Sequence, residues 1–449
     1  MSLHEWWVRV DQAEVAWYEQ EHPSPFNDDE YLWEYQDTHP APEEPRVKYI
    51  QHLAKYGLKK RWHHGPSWAM GVDRNTLPKR DSIQFLPGQF AIRPLMDDDT
   101  VSTKVIIWPN AKKPLELDIP LFVSDMSFGA LSKEAKIALS KWAHAAGTGI
   151  CSGEWWLLPE EQENNSRYFY ELASWGFWFT RDKVAKCQAF HFKWWQGAKV
   201  WTWWHLPGSK VTEEIAKVRW LEAWQDAISP PTFPKYKTIE DFQILANKAR
   251  EVTWWAPIGF KLAASRIEKD IDFALAVWCD YIILDGRWWG TWAAPLIFRD
   301  HISVPTIPAL ARARKYLDSR EDAKWVSLII TWWLRVPSDF VKALALWADA
   351  IAVSNAALQA IWCIGMRACN TNNCPVGIAT QKDHLRERIE IGKSAIQLKN
   401  FFEAATHLIQ VVARSCGHDD INKFELEDLS TFDYDIHKLT GIHYAGTNW

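Results

Sequence analysis

Residues 326–355 read VSLIITWWLRVPSDFVKALALWADAIAVSN. The segment begins with a short β-rich run at 326–331 and continues with apolar residues at helical spacing through 337–350. It ends with a second β-rich run at 350–355, and the helical part starts with Pro-Ser, as capped helices commonly do. This order predicts a strand, a helix and a second, parallel strand, the repeating unit of α/β folds.

The same alternation continues through the middle of the chain. The other predicted helices are 132–146, 212–219, 238–252 and 265–277, and the tail 384–416 reads as one or two more. The β-rich runs are 121–127, 147–154, 189–193, 226–230, 257–263, 281–286, 326–331 and 350–355. A closed parallel barrel needs eight such runs with helices between them.

We therefore predict an α/β fold, a (β/α)8 TIM barrel with an N-terminal extension and a C-terminal helical tail. The predicted boundaries place the extension and lead-in at 1–90, the barrel at 91–395 and the tail at 396–449. A chain of 449 residues is long enough for this arrangement, since such a barrel takes roughly 250 residues. The predicted helices of the tail would cover the outside of the barrel.

Charge and hydropathy exclude several classes of protein. The formal net charge is -5, which is not the basic footprint of a nucleic-acid-binding protein. No apolar run is long enough to span a bilayer, and residues 1–9 do not resemble a secretory signal. We expect a cytoplasmic protein.

A cysteine-rich stretch follows the last predicted strand. Residues 363–381 read CIGMRACNTNNCPVGIATQ, with Cys363, Cys369 and Cys374 in a C-x5-C-x4-C pattern followed by Pro. A compact loop that points several thiolates at one centre is what iron–sulfur ligation requires. Zinc loops usually use C-x2-C pairs and supply a fourth ligand. The alternative is that the three thiols are buried and serve as small apolar side chains.

The tryptophan content is abnormal. The chain has 31 Trp and 20 Gly, and many of the Trp residues occur in predicted turns. Turns that bring backbone N–H groups up to a phosphate need residues without a Cβ atom, which is the role of glycine. The Trp pairs are at 155–156, 194–195, 203–204, 288–289 and 332–333.

The run RACNTNNCPVGIATQ resembles the signature of the FMN-binding domain of glutamate synthase, in which three cysteines hold a [3Fe-4S] cluster beside the flavin. The likeness runs from about Arg61 to the C-terminus. In the family pattern the Trp pairs correspond to glycines, as in SGEGG, GxGGxLPG, DGxxGGTGA and TGGL. We hypothesise that most Trp letters are glycines, as would follow if UGA means Gly in the source but was translated as Trp. If the tryptophans are genuine, the chain is better interpreted as a flavin-less scaffold or electron-relay subunit.

The resemblance implies a flavin site at the carboxyl ends of the predicted strands. Functional groups of this fold cluster there, and phosphate is usually bound after the seventh and eighth strands. Lys261 would place positive charge near the reduced flavin. The candidate FMN contacts are Met126, Ser127, Lys261, Asp285, Gly286, Gly290, Thr291, Trp332, Trp333, Asn355 and Ala356.

A substrate site is implied by the stretch from Lys193 to Arg219 together with Glu154. A dicarboxylate needs cations, and the resemblance assigns 2-oxoglutarate or flavin binding to Lys193, Lys199 and Arg219. Glu154 would face the substrate and the flavin and transfer protons. The remaining candidate substrate contacts are Gln196 and His205, and the large glutamate synthases have Gln in place of His205.

The implied reaction condenses ammonia with 2-oxoglutarate and reduces the imine to L-glutamate with reduced FMN. We find no glutaminase-type N-terminal cysteine after Met1 and no GxGxxG motif following a strand. Ammonia would therefore come from solution or a separate glutaminase subunit, and electrons from a separate donor subunit or ferredoxin. The alternative is another FMN barrel oxidoreductase, such as a subunit of an N-methylglutamate synthase.

Overall fold

The computed structural model describes most of the chain beyond residue 76. The described residues are 67–69, 77–154, 157–174, 181–193, 204–206, 208–219, 221–230, 232–287, 293–295, 298, 301–366 and 369–447. The predicted N-terminal extension up to residue 66 lies outside these ranges.

Eight parallel strands form a closed barrel in chain order. Its first and last strands pair through Leu121 and Ile351, and the ring is continuous through the pairing of Phe190 with Ile258. The predicted (β/α)8 barrel is confirmed. The barrel strands are β1 (Leu121–Val123), β2 (Ile150–Cys151), β3 (Tyr168–Ala173), β4 (Ala189–Lys193), β5 (Ile258–Ala263), β6 (Tyr281–Asp285), β7 (Ser327–Thr331) and β8 (Ala350–Val353).

Two of the predicted strand positions are wrong. The run 226–230 is not a barrel strand, because Ala227–Ser229 pairs antiparallel with Trp204–Leu206 outside the barrel. The third strand of the barrel is β3, which was not predicted. The run 189–193 therefore forms the fourth strand rather than the third. All six residues of β3 are buried, so no alternation of apolar and polar residues marks it in the sequence.

Helices surround the barrel, and those at 133–145, 213–219, 239–253, 267–276, 337–345 and 391–415 match predicted segments. Ser132 caps the first, since its side chain accepts a hydrogen bond from the backbone N–H of Ala135. The helices are α1 (Lys133–Ala145), α2 (Pro159–Glu163), α3 (Arg181–Val184), α4 (Glu213–Arg219), α5 (Ile239–Thr253), α6 (Ile267–Ala276), α7 (Thr306–Asp318), α8 (Pro337–Ala345), α9 (Asn355–Ala360), α10 (Asp383–Arg386), α11 (Ile391–Ser415) and α12 (Tyr434–Thr440). None of the helices within the described ranges is both long and apolar enough to cross a bilayer.

Helix α7 was not predicted because it contains Pro308. The helix begins at Thr306, so this proline lies in the first turn, where its missing N–H costs no intrahelical hydrogen bond.

Short strands outside the barrel complete the fold. A three-stranded sheet joins Ile83–Phe85, Leu429–Thr431 and His443–Tyr444, and therefore brings together early and late segments of the chain. Two-stranded sheets pair Ser67–Ala69 with Ala293–Pro295 and Val105–Ile107 with Leu115–Leu117. The 3-10 turns are Arg80–Ser82, Gly208–Lys210, Ile421–Lys423 and Leu426–Asp428.

Helix α11 packs against α1 and α8 on the outside of the barrel. Leu398, Phe402 and Ile409 on this helix are fully buried in the same core as the barrel strands. The helix passes through residue 395, where we predicted the barrel to end, and the domain boundaries stay a prediction.

Tryptophan dominates the left-handed backbone positions. Of eleven non-glycine residues with positive φ among those described, nine are Trp, the others being Ser303 and Asn372. A left-handed conformation costs residues with a Cβ atom roughly 1–2 kcal/mol and costs glycine almost nothing. The nine are Trp108, Trp224, Trp254, Trp255, Trp278, Trp332, Trp333, Trp347 and Trp362.

Four helices end at such a tryptophan. Trp254 is the left-handed C-cap of α5, while Trp278, Trp347 and Trp362 each follow the C-cap of α6, α8 and α9. Helices very commonly end with a left-handed glycine at this place. The backbone therefore has the shape that glycine allows at positions where the sequence has Trp.

Candidate active site

The carboxyl end of the barrel contains a buried group of charged side chains. Asp125 follows β1, Glu171 lies in β3, His191 and Lys193 lie in β4, and Lys261 lies in β5. All five are buried. Burying charged groups is expensive unless they are paired, so the pairing decides which of them stay ionised.

Lys193 pairs with two carboxylates. Its Nζ lies 2.9 Å from Oε1 of Glu171 and 3.4 Å from Oε2 of Glu154. Burial opposes the positive charge, but Glu171 and Glu154 raise the pKa of Lys193 above its usual value. The structure thus brings together two predicted site residues, Lys193 and Glu154, and keeps Lys193 a cation.

Asp125 pairs with Lys261 and His191. Its Oδ1 lies 3.0 Å from Nε2 of His191, and its Oδ2 accepts a hydrogen bond from Nζ of Lys261. Burial by itself would raise the pKa of Asp125, but the charges of Lys261 and His191 hold it well below its usual value. Lys261, a predicted flavin contact, therefore has Asp125 as its counter-ion.

His191 is the innermost titratable group of this set. Its Nδ1 lies 3.2 Å from the hydroxyl of Tyr281 in β6. Burial would lower the pKa of His191, but Asp125 raises it above the usual value, which favours the protonated imidazole. Ligand atoms of Asp125, Glu171 and His191 lie within 4.8 Å of one another, as around a metal ion. Lys193 and Lys261 already balance the two carboxylates.

Asp125, Glu171 and His191 were missed in the sequence. Glu171 was hidden because its strand was not predicted. His191 and Lys193 are two positions apart in one strand and so point to the same face, which is a signal that could have found His191. Asp125 lies at the end of the predicted run 121–127, where barrel enzymes place functional groups.

The predicted flavin contacts after β1 and β6 are packed closely against neighbouring backbone. Met126 and Ser127 are buried, and a Cβ atom on Gly153 would lie 2.5 Å from the carbonyl carbon of Met126. A Cβ atom on Gly286 would lie 2.4 Å from Oγ1 of Thr306. Asp285, at the end of β6, is also buried. These loops therefore require glycine at 153 and 286.

The loops after β7 and β8 hold the predicted phosphate contacts. Trp332 and Trp333 follow β7 with φ of 86° and 52°, while Asn355 and Ala356 begin α9 after β8. Trp332 is buried, and its indole Nε1 has no hydrogen-bond partner among the described residues. A buried N–H without a partner costs free energy, so an indole is poorly suited to this position.

Two buried hydroxyl groups stand at the same end of the barrel. Ser124 follows β1 and Ser354 follows β8, and within the described ranges neither Oγ atom has a hydrogen-bond partner. Buried polar atoms normally have one. These hydroxyls fit a polar ligand such as a flavin with its ribityl phosphate, whereas the indole of Trp332 does not.

The cysteine loop lies beside the loop that follows β1. The backbone N–H of Ser132 donates to the carbonyl of Ile378 over 2.9 Å, and Nε2 of Gln381 donates to the carbonyls of Gly129 and Leu131. The predicted cluster loop is therefore attached directly to the segment that contains two predicted flavin contacts, Met126 and Ser127.

The three predicted metal-binding cysteines all lie on this loop. Cys374 is buried, and Cys363 and Cys369 are half-buried. Burial and the nearby Cys374 raise the pKa of Cys363. In the part of the chain that the structure describes, the three Sγ atoms do not all lie within 4.8 Å of one another. Ligands of a single zinc at about 2.3 Å must lie closer than that. This arrangement therefore does not match a single zinc site.

Some predicted site residues lie outside the described residues. Gln196, Lys199, Gly290 and Thr291 belong to this group. His205 and Arg219 lie in described elements, but their side chains are not described. Their roles stay predictions.

A family model described as the conserved region in glutamate synthase matches residues 75–419. The chain belongs to the glutamate synthase family. It is 33% identical over 360 residues to an archaeal-type glutamate synthase (NADPH) from Thermotoga sp. strain RQ2, covering 79% of this chain and 70% of the relative. To a glutamate synthase large subunit-like protein from Rhizobium meliloti it is 29% identical over 395 residues, covering 84% and 89%.

Another glutamate synthase relative agrees with this assignment, and two solved structures share the fold. The archaeal glutamate synthase (NADPH) of Methanocaldococcus jannaschii is 34% identical over 350 residues, with 76% of this chain and 68% of the relative covered. A flavocytochrome b2 variant with bound sulfite has a TM-score of 0.51 at 16% identity, covering 94% of this chain and 95% of that chain. The flavin-binding domain of baker's yeast flavocytochrome b2 has a TM-score of 0.50 at 16% identity, covering 89% and 88%.

The two solved structures show the shared barrel fold. The family membership makes the protein an enzyme, an oxidoreductase of the glutamate synthase type.

Proposed function

We propose that this oxidoreductase reduces 2-iminoglutarate, formed from 2-oxoglutarate and ammonia, to L-glutamate with electrons from reduced FMN. Two relatives are named glutamate synthases that use NADPH, and the solved barrels of the same fold include a flavin-binding domain. The observation that carries the proposal is Lys193, a buried cation between Glu171 and Glu154 at the carboxyl end of β4.

Lys193 would bind a carboxylate of 2-oxoglutarate. A buried ammonium group attracts a carboxylate far more strongly than an exposed one, because little water screens it. Glu154 lies 3.4 Å from Lys193 and would transfer a proton to or from the nitrogen of the substrate. In the proposal Lys199 and Arg219 hold the substrate with Lys193, and Gln196 and His205 orient it.

Flavin binding is assigned to residues at the ends of the barrel strands. A bound flavin supplies the hydride, and the protein positions the substrate against it. The hydroxyls of Ser124 and Ser354, which have no hydrogen-bond partner among the described residues, support a polar ligand at this end of the barrel. The proposed contacts are Met126, Ser127, Lys261, Asp285, Gly286, Gly290, Thr291, Trp332, Trp333, Asn355 and Ala356.

The proposal includes glycine at most Trp positions of the natural protein. Nine left-handed tryptophans support it, since their backbone conformation is one that glycine adopts without strain. The coding DNA tests it directly, because the idea requires UGA codons at these positions. UGG codons there, or native peptides with indole at Trp332 and Trp333 in a flavin-bearing enzyme, would contradict it.

A cluster of the [3Fe-4S] type at Cys363, Cys369 and Cys374 would relay electrons to the flavin. The attachment of their loop to the segment after β1 supports this role. Electrons would come from a separate donor subunit or ferredoxin. Ammonia would come from solution or a separate glutaminase subunit, and the cytoplasm is the proposed location.

The activity test uses protein with glycine at the Trp positions. Reduced chemically and supplied with 2-oxoglutarate and ammonia, it should contain FMN and form L-glutamate. The second arm replaces ammonia with methylamine. Preferential formation of N-methylglutamate would favour an N-methylglutamate synthase, and protein without flavin would favour an electron-relay scaffold and overturn the proposal.

The cluster is tested through iron content. Replacing Cys363, Cys369 or Cys374 with Ser should lower the bound iron and remove the visible absorption of the cluster. Cys279→Ser is the control, because Cys279 is buried away from this loop after α6. Equal iron content in all four variants would rule out the proposed ligands.

A further inference from the structure

Lys210 is buried beneath the cysteine loop. It ends the 3-10 turn Gly208–Lys210 and has no exposed surface. Its Nζ donates hydrogen bonds to the carbonyl of Cys369 over 2.8 Å and to the carbonyl of Ala379 over 2.7 Å. The amino group of Lys210 therefore holds both arms of the loop. One hydrogen bond is at Cys369, a proposed cluster ligand, and the other is at Ala379, where the chain returns.

Asn372 attaches the loop to the same turn from the other side. Its Nδ2 donates to the carbonyl of Ser209 over 3.1 Å, and its Oδ1 accepts from the backbone N–H of Gln381 over 2.7 Å. Oγ1 of Thr380 donates to the carbonyl of Asn372 over 2.6 Å. Asn372 has a φ of 65°, which asparagine tolerates better than most residues. The turn and the cysteine loop thus form one connected unit.

The turn is fixed on its far side as well. The backbone N–H of Gly208 donates to Oδ1 of Asp226 over 2.8 Å, and a Cβ atom on Gly208 would lie 2.3 Å from the carbonyl oxygen of Trp224. Lys210 therefore projects from a turn that cannot easily shift. Its amino group is held beside the loop by the two hydrogen bonds to the carbonyls of Cys369 and Ala379.

The hydrogen bonds of Lys210 do not depend on its charge. Burial lowers the pKa of Lys210 to about 7, while the nearby Cys369 and Cys374 act in the opposite direction. The two hydrogen bonds to the carbonyls of Cys369 and Ala379 need only N–H donors, so the amino group can make them in either protonation state.

We propose that Lys210 is a positioning residue of the iron–sulfur site, which holds the cysteine loop in its binding conformation. This inference rests on the cluster of the proposed function. It adds a basic residue, 159 positions before Cys369 in the chain, to the three cysteines as part of the site.

The first test compares Lys210→Met with Lys382→Met in the glycine-bearing holoprotein. Lys382 belongs to the same loop but is exposed, and it bonds the side chain of Asn373 over 2.7 Å. The iron bound per chain should fall in Lys210→Met, stay unchanged in Lys382→Met and be partly restored in Lys210→Arg. Unchanged iron content in Lys210→Met would overturn the proposal.

A second measurement does not depend on a bound cluster. In metal-free protein, iodoacetamide should alkylate Cys369 faster in Lys210→Met than in Lys382→Met, because the loop has lost the bonds to its two carbonyls. Equal rates would overturn the positioning role. If the unsubstituted protein binds no iron at all, the cluster of the proposed function fails, while the alkylation rates still decide whether Lys210 holds the loop.

Discussion

Trp254 illustrates how a tryptophan at a left-handed position lowers the free energy of unfolding. It is the C-cap of α5 with φ of 57° and is 80% exposed, so its indole gains little from packing. We expect Trp254→Gly to have a free energy of unfolding about 1 kcal/mol above that of Trp254→Ala, because only alanine has a Cβ atom to strain. Denaturant titration of both variants measures the difference.

Trp325 provides the matched control. It is 47% exposed and is not among the residues with positive φ. At this position the Gly variant should be no more stable than the Ala variant, because glycine gains nothing there. The same stabilisation by glycine at both positions would show that backbone conformation is not the cause.

Lys193 is the residue on which substrate binding should depend most. We expect Lys193→Met to lower kcat/KM for 2-oxoglutarate by about 30-fold or more, since losing one partner of a buried charge pair costs roughly 2–5 kcal/mol. Steady-state kinetics gives the ratio, and circular dichroism shows whether the fold is kept. Lys324→Met, which removes an exposed lysine paired with Glu321, should retain full activity.

The site could be predicted from the sequence only in part. Lys193 and Glu154 were identified through the resemblance, and the structure places them 3.4 Å apart. Glu171 could not be predicted, because its function depends on Lys193 from another strand and its own strand has no recognisable pattern. Spatial pairing of charges from different strands is not encoded in local sequence spacing.

At the scale of secondary structure elements, a buried ion pair joins α1 and α2. Nζ of Lys136 lies 2.6 Å from Oε1 of Glu161, and it also donates to the carbonyls of Met126 and Ser152, which follow β1 and β2. Lys136→Met or Glu161→Gln should each lower the free energy of unfolding by roughly 3–5 kcal/mol, because each leaves a buried charged or polar partner unpaired.

The double variant tests whether the two residues act as a pair. The double variant Lys136→Met with Glu161→Gln should lower the free energy of unfolding by less than the sum of the two single changes. Thermal or denaturant unfolding of the three variants measures this. Lys133 lies on the same helix and pairs with Glu214 at the surface, so Lys133→Met should cost less than about 1 kcal/mol. Strict additivity of the Lys136 and Glu161 changes would contradict the pairing.

Elements with a periodic pattern were predicted well, and elements without one were not. Helix α5 begins with the capping box formed by Thr238 and Asp241, and its apolar residues recur at helical spacing. Ala227–Ser229 has the local composition of a strand and is one, but its partner lies outside the barrel. The residue pattern of a segment indicates that a strand forms there. The strand with which it pairs depends on the topology of the whole chain.

At the scale of the whole molecule, α11 is part of the core of the barrel domain. Leu398→Ala or Phe402→Ala should lower the free energy of unfolding by about 2–5 kcal/mol, because each leaves a cavity in that core. Ile396 on the same helix is 51% exposed, and Ile396→Ala should change stability by less than about 0.5 kcal/mol. If calorimetry shows equally small losses of stability for all three variants, the helix is a separate, loosely attached unit.

The small sheet of Ile83–Phe85 and Leu429–Thr431 sets a limit on when the protein can finish folding. Oγ1 of Thr431 donates to the carbonyl of Ser82, 349 positions earlier in the chain. During synthesis the early strand must leave the ribosome and wait without its partner until the residues up to Thr431 have been made. That exposed edge is where nascent chains would associate with one another, so slower translation should increase their dependence on chaperones.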